Sequence, residues 1–560
     1  MKWLGKMWCV VKSVLPRHPK LTQTPGHNKF FLVCSLLHAA LFMDGSGIWP
    51  WLNLVLVALG MRWVLRKGYL IPLWQVLPTL PVWIKGLAGF SALTLVLSMM
   101  ANRDYGWLGS WLSTELTGFS LPLWIVLGTG SGYVLYHYLL GFYGLFFVPL
   151  LIDVFQALQL QRHQVKRSGW LLGLLFVTIL VLNQQSPVFF DPSLSERAMA
   201  TGYDGFFVDV IFQTDTDPLF AHYHVFLRDV PALRQPLFSL LSFPLVAPLY
   251  GMSQLLFFIP QVYPSFVMTL QFVLLVAAAM MLKLLASHEG LSTPWLMGLY
   301  LSSYSLLIFG LILERFVITL FYMMLFLTAY TLQHPRRHLA LLGAGGCNLL
   351  VFVLGGGLFD WRNLQAWRTQ LWLGCQQVVA LLGLMLLFGR LFLLAPDTLH
   401  DTTQWLHAST GLTQQLQQFS HLLVGSLVFP ETVVNVWYYP RYEQALVTQF
   451  HGVGLVLLIL CVYSGYRHRQ EQLVRICTLW LGVAFGLFGL VGWATDQHNL
   501  LLFSVLFSFS WFYLLYRLLQ QWLPAKLRLA VCGCLWLVLV SYNLLGMVDL
   551  IRFALYYYPR

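Results

Sequence analysis

Runs of mostly apolar residues, each near the 20 or so that a helix needs to cross about 30 Å of hydrocarbon, recur along almost the whole of this 560-residue chain. A soluble chain of this length would fold as several domains, each coated with charge. Here charged residues make up 10% and hydrophobic residues 58%, whereas a soluble protein carries about 25% charge. That scarcity excludes a string of soluble domains, a disordered or coiled-coil chain and a soluble nucleic-acid binder. Inside a bilayer every backbone polar group needs an internal partner, which leaves helices and closed barrels. Barrel alternation is absent. The sequence therefore predicts an all-α, polytopic integral membrane protein.

The apolar runs are 30–43, 48–65, 84–101, 119–158, 169–187, 236–258, 262–286, 293–313, 316–333, 339–358, 376–396, 449–465, 476–494, 500–520 and 527–548. With 119–158 read as one span or two, they predict roughly 13–16 membrane helices. No repeat marks the inverted halves of a secondary transporter. The formal net charge is +12, from 33 Lys+Arg against 21 Asp+Glu, and the basic residues gather in short clusters between runs. That pattern sets topology rather than nucleic-acid binding. The basic N-terminus, Arg62-Arg66-Lys67, Arg162-Lys166-Arg167, Arg467-Arg469-Arg475 and Lys526-Arg528 are predicted to be cytoplasmic, leaving two long polar segments, 188–235 and 397–447, outside. Six full crossings between those loops would put His334-Pro335-Arg336-Arg337 outside, against the charge rule. One or more of 236–258, 293–313 and 339–358 is then re-entrant or partial, with Pro244, Pro248 and Gly355-Gly356-Gly357 as the expected breaks.

The eight cysteines lie mostly in or beside apolar runs, and none lies in the large polar loops, so no disulfide framework is expected, and no cysteine spacing resembles a metal site. The N-terminal apolar stretch is short and broken, which predicts no cleaved signal peptide. Tryptophans near span ends, such as Trp49, Trp107 and Trp437, fit an interfacial belt. Four regions follow: N-terminal membrane helices of unassigned role (1–168), a membrane core carrying the first outer loop (169–396), a second outer loop (397–447) and C-terminal helices (448–560).

The first outer loop is the chemically dense part. Asp191, Glu196, Asp204, Asp209, Asp215, Asp217 and Asp229 place seven of the 21 acids within 188–235. They are interleaved with large apolar residues such as Phe206, Phe207, Phe212 and Phe220, which predicts short amphipathic helices packed on the outer membrane surface. A carboxylate held beside a low-dielectric surface has its pKa raised unless a cation or donor compensates, which suits a general base or a metal ligand. A plain acidic, solvated loop is the competing reading. The second outer loop has the composition of an outer cap that helps hold an acceptor.

Five patches, in order, carry a resemblance. They are Phe212-Gln213-Thr214-Asp215-Thr216-Asp217, Arg234-Gln235-Pro236-Leu237-Phe238-Ser239-Leu240-Leu241, Leu313-Glu314-Arg315-Phe316, Gly345-Gly346-Cys347-Asn348-Leu349 and Asp496-Gln497-His498-Asn499-Leu500-Leu501-Leu502-Phe503-Ser504. Together they resemble multispanning GT-C type glycosyltransferases, distantly those like protein O-mannosyltransferase and lipid A aminoarabinose transferase, over residues 165–520. Gln235 stands where those proteins carry His, and Asp217 near where they carry Pro-Arg. The resemblance implies sugar transfer from a polyprenyl-phosphate donor to a cell-envelope glycan or lipid acceptor, on the outer face of a bacterial cytoplasmic membrane. Asp215 is the implied general base, followed by Asp217 and Asp204; Arg228, Arg234, His222, His224, Glu314, Asn348 and His498 are implied in substrate binding. No cofactor is required, and a divalent cation on Asp215 and Asp217 is left open. A transporter or flippase of lipid-linked saccharides, or a non-catalytic envelope-assembly protein, is the alternative.

Overall fold

The computed structural model describes residues 25–42, 48–66, 74, 76–101, 120–159, 234–256, 262–291, 293, 295–311, 315–357, 364–396, 411–429, 432–435, 441–444, 451–492 and 503–557. Apart from one antiparallel hairpin, these residues form helices and their connections. The hairpin pairs β1, Thr432–Asn435, with β2, Arg441–Gln444, with Thr432 opposite Gln444. Five helices are long and apolar enough to cross a membrane: Ile125–Leu158, Phe238–Leu255, Ser265–His288, Gln472–Val491 and Ala525–Asp549. Five shorter apolar helices of 10–17 residues accompany them. Among the described residues these are fewer spans by length and composition than the expected 13–16, because several apolar runs are broken or short. The run 169–187 and the expected surface helices of 188–233 lie outside the described residues.

The N-terminal helices are α1 (Pro25–Phe42), α2 (Trp49–Arg66) and α3 (Val82–Ala101). The 119–158 run is one unbroken rod: α4 (Ser120–Leu140), a π-helical stretch (Gly141–Phe147) and α5 (Val148–Gln159). Next come α6 (Phe238–Leu255), α7 (Val262–His288), the short pair α8 (Leu296–Leu301) and α9 (Tyr304–Leu311), and α10 (Phe316–Thr331). Helix α10 is apolar on every side, and it is buried all round from Phe316 to Ala329, as such a helix has to be. It is the centre of the molecule. Then follow α11 (Arg337–Cys347), α12 (Phe352–Gly357), α13 (Leu364–Leu387), α14 (Leu412–Gly425), α15 (His451–Arg467), α16 (Gln472–Ala484) with a second π-helical stretch (Phe485–Val491), α17 (Ser504–Trp522) and α18 (Ala525–Tyr557).

Two sets of polar contacts mark a common face. His334 Nε2 lies 2.9 Å from Asp153 Oδ2, tying the turn after α10 to the last turns of α5, just ahead of the Arg162-Lys166-Arg167 cluster. Glu289, in the turn after α7, accepts from Leu473 N and from the Tyr513 hydroxyl at 2.5 and 2.8 Å. Leu473 follows the Arg467–Arg469 turn, so Glu289 shares that basic face. There Arg517 grips Glu471 through Nε (2.8 Å) and Nη2 (2.6 Å), and His468 Nδ1 lies 3.1 Å from the same carboxylate. Burial pushes the Glu289 carboxyl above the usual carboxylate range. Burial also acts on Glu471, but the Arg517 bonds and charge outweigh it and hold that carboxyl low.

A re-entrant segment 337–357 would put His334–Arg337 on the same side as the other basic clusters, as the charge rule asks. Beyond α11 the chain doubles back: Phe352 packs on Gly345, and Gly355 on Leu341. Residues 337–357 thus form a pair of helices that folds back on itself. The break is at Asn348, while the three glycines thought to be the break are helical or end the helix. Helix α6 runs through Pro244 and Pro248 without interruption. Its carbonyl at Pro244 accepts from Tyr143, whose hydroxyl lies 3.4 Å from Ser91, while Gly251 abuts Phe90 and Thr94. Tyr138 likewise donates to the Leu240 carbonyl at 2.9 Å, so the first half of α6 lies against the 120–159 rod and Gly251 lies against α3. The run 293–313 is broken at Ser302-Ser303.

Candidate functional site

Of the residues implied in chemistry, Asp204, Asp215, Asp217, His222, His224, Arg228, Glu314 and His498 lie outside the described residues. Arg234 and Asn348 are described, and the structure brings them together. Leu349 N donates to the Arg234 carbonyl at 2.9 Å, and Leu237 N donates to the Gly346 carbonyl at 2.9 Å. Asn348 is extended at the break, and its Oδ1 accepts from Leu350 N at 3.1 Å. The backbone that the broken helix leaves unpaired is thus satisfied by the segment leading into α6, as irregular backbone within a membrane protein requires. Gly346 permits the approach: a side chain there would press on Leu237 and Leu241 at about 3.0–3.1 Å.

A second pair of patches also meets. Phe316, at the start of α10, stacks against Phe503 with ring centroids 5.2 Å apart. Phe316 closes the Leu-Glu-Arg-Phe patch and Phe503 is near the end of the Asp496–Ser504 patch, of which residues 496–502 lie outside the described residues. The neighbouring guanidinium of Arg315, buried in the structure, lies 5.7 Å over the Phe316 ring. Helix α10 links the two pairs: Tyr322 donates to the Leu241 carbonyl at 2.9 Å, and Gly343 of α11 lies against the same tyrosine ring.

The sequence reading passed over three features. Arg390 follows the left-handed Gly389 (φ 66) at the end of α13, and its Nη2 donates to Ser239 Oγ at 2.8 Å. A lone arginine inside the apolar run 376–396 is the signal that could have flagged it, since charge within a membrane segment is costly. Helix α14 lies inside the polar segment 397–447 expected to be an outer cap. Its Gln415, Gln418, Ser420 and His421 are buried, with Phe419 against Phe485 of the second π-helical stretch. Finally, Asn543 joins α18 to α14 and to the break between α8 and α9. A groove of about 340 Å³ between α3 and α4 is walled by Gly89, Ala92, Gly128, Thr129, Gly132 and Tyr136, among others. No charged residue lines it, so it is not where the implied chemistry gathers. Among the described residues no group of three metal-ligating side chains converges, and Asp215 and Asp217 lie outside them. No family model, curated protein or solved structure matches this chain.

Proposed function

We propose that this chain is a membrane glycosyltransferase that moves a sugar from a polyprenyl-phosphate donor to a glycan or lipid acceptor of the cell envelope. The observation that supports it is the gathering of separate patches around one buried helix. Residues 234–237 lie on 346–349, and Phe316 lies on Phe503, although the members of each pair are more than 100 residues apart. An acidic loop entering this centre from the outer side would deliver its carboxylates to the same place.

In this reading Asp215 takes the proton of an acceptor hydroxyl. The hydroxyl oxygen bonds to the anomeric carbon from the face opposite the phosphate. The carbon–oxygen bond to the phosphate breaks, and the polyprenyl phosphate leaves with the electron pair. The configuration inverts. Holding donor and acceptor in that geometry supplies part of the rate enhancement, and cationic groups offset the charge developing on the leaving group. Asp215→Asn should lower transfer on the order of 100-fold while leaving the fold intact. Normal turnover in that variant and in Asp217→Asn and Asp204→Asn would remove the basis of the proposal.

A second reading, transport of a lipid-linked saccharide, is favoured by one feature. Helices broken at Ser302-Ser303 and at Asn348 are common where transporters bind cargo. Purified protein in vesicles separates the two: a transporter moves the intact donor across the bilayer, and a transferase converts it to a new glycoside.

A further inference from the structure

The beginning of α6 gathers donors and polar groups that no role so far accounts for. Arg390 is 4% exposed and reaches Ser239, in the first turn of α6, through the bond described above. Gln235 lies one turn before Ser239 and is 2% exposed. Among the described residues neither its Nε2 nor its Oε1 has a hydrogen-bond partner. No side chain caps the N-terminus of this 18-residue helix. Arg234 and Asn348 are half-buried beside this end, so the buried groups sit just behind an accessible rim.

Each of these groups favours an oxyanion. A guanidinium is a fork of donors matched to phosphate oxygens. A serine hydroxyl and a carboxamide N–H donate to a third oxygen. The start of α6 adds the positive end of the helix dipole, although Leu237 N and Phe238 N are taken by the Gly346 and Gln235 carbonyls. A carboxamide buried with both polar atoms unsatisfied is costly and calls for a ligand that completes it. The surroundings are apolar, with Phe238, Leu240 and Leu241 buried next to these groups.

We propose that Arg390, Ser239, Gln235 and the N-terminus of α6 form a binding site for the phosphate ester of a lipid. The phosphate sits against the break at Asn348, and the chain lies along the apolar wall. The ligand class rests on the lipid-phosphate reading given above; the geometry of the site does not.

The test uses the full chain in detergent with farnesyl phosphate, farnesol and inorganic phosphate as probes, each read by equilibrium binding. Farnesyl phosphate should bind, and the other two should bind at least tenfold more weakly. Arg390→Gln should weaken farnesyl phosphate binding by about 30-fold or more, the scale for truncating a buried charged contact. Gln235→Glu puts a negative charge where the phosphate belongs and should abolish binding without opening a cavity. If Arg390→Gln does not fold, Arg390→Lys retains the charge but loses the fork and should still weaken binding severalfold. Wild-type affinity in Gln235→Glu and in the folded Arg390 variant would overturn the site. Farnesol binding as tightly as farnesyl phosphate would overturn it as well, and inorganic phosphate doing so would reassign it to a soluble anion. Sugar transfer is scored separately. Transfer with no dependence on Arg390 or Gln235 defeats the site and spares the transferase reading. Phosphate binding through Arg390 without transfer from any donor does the reverse.

Discussion

Asn543 makes the clearest energetic prediction. It is fully buried in α18, its Nδ2 donates to the Ser302 and Leu427 carbonyls at 2.7 and 2.8 Å, and its Oδ1 accepts from Phe429 N at 2.7 Å. Leucine has similar volume and none of these bonds. The Leu427 carbonyl would keep its other donor, Tyr304 N at 3.0 Å. The Ser302 carbonyl and the Phe429 N–H would both lose their Asn543 partner. Two buried groups losing their partners at about 1–3 kcal/mol each give a loss of about 2–6 kcal/mol. Side-chain bonds in membrane proteins average about 0.6 kcal/mol, so three of them set a floor near 2 kcal/mol. Reversible unfolding in micelles by steric trapping measures the difference between Asn543→Leu and the natural chain. Tyr542→Leu, at the neighbouring and exposed position, is the control and should change stability by less than about 0.5 kcal/mol. A loss below about 0.5 kcal/mol for Asn543→Leu would refute the argument, because water or neighbouring donors would then be satisfying the break.

The Glu471 carboxyl, held low in the fold, contributes stability above its unfolded pKa and loses it as pH falls through the folded value. Glu471→Gln should therefore be less stable than the natural chain near pH 7, and the difference should start to shrink only as pH falls below about 4, in unfolding measured from pH 7 downward. Glu289, raised by burial, has the opposite sign: Glu289→Gln should flatten the loss of stability that follows a rise in pH through the folded value. Gly454→Ala drives a methyl into the Ser420 carbonyl between α14 and α15 and should cost about 1–3 kcal/mol by the same unfolding measurement. Single cysteines placed at Arg336 and at Arg469 in a cysteine-free chain should react with an impermeant maleimide from the same side of sealed vesicles; labelling from opposite sides would rule out a re-entrant segment at 337–357.

The sequence made some elements plain and hid others for physical reasons. Helix α10 was legible because a run apolar on every side has to be buried. The 119–158 run could have held one span or two, and it is one, because the glycines at Gly141 and Gly144 are absorbed in a π-helical stretch. The breaks were misplaced. Pro244, Pro248 and Gly355–Gly357 are the residues that weaken a helix locally, yet the chain breaks at Ser302-Ser303 and Asn348, where partners distant in sequence take up the freed backbone groups. Local punctuation does not contain that information. Helix α14 fell within the segment expected to be an outer cap because of its polar, glutamine-rich composition, yet Gln415 and Gln418 are buried while Gln414 and Gln417 face outward. At the candidate site the meeting of Arg234 with Asn348 follows the order of the resemblance, whereas Arg390 came from the structure alone.

The join at Asn543 also bears on how the protein is made. Asn543 follows Ser302 by 241 residues and Leu427 by 116. At ribosomal speeds the first interval lasts roughly 10–50 s. Through that time the helix broken at Ser302 sits in the bilayer, or at the insertion machinery, with a carbonyl whose final partner has yet to be synthesised. The nascent chain has to keep water or an insertion factor at that depth until α18 arrives. Assembly of this region is therefore timed by translation, and a ribosome stalled before Asn543 would leave an intermediate that quality-control proteases can recognise by its unfilled seam.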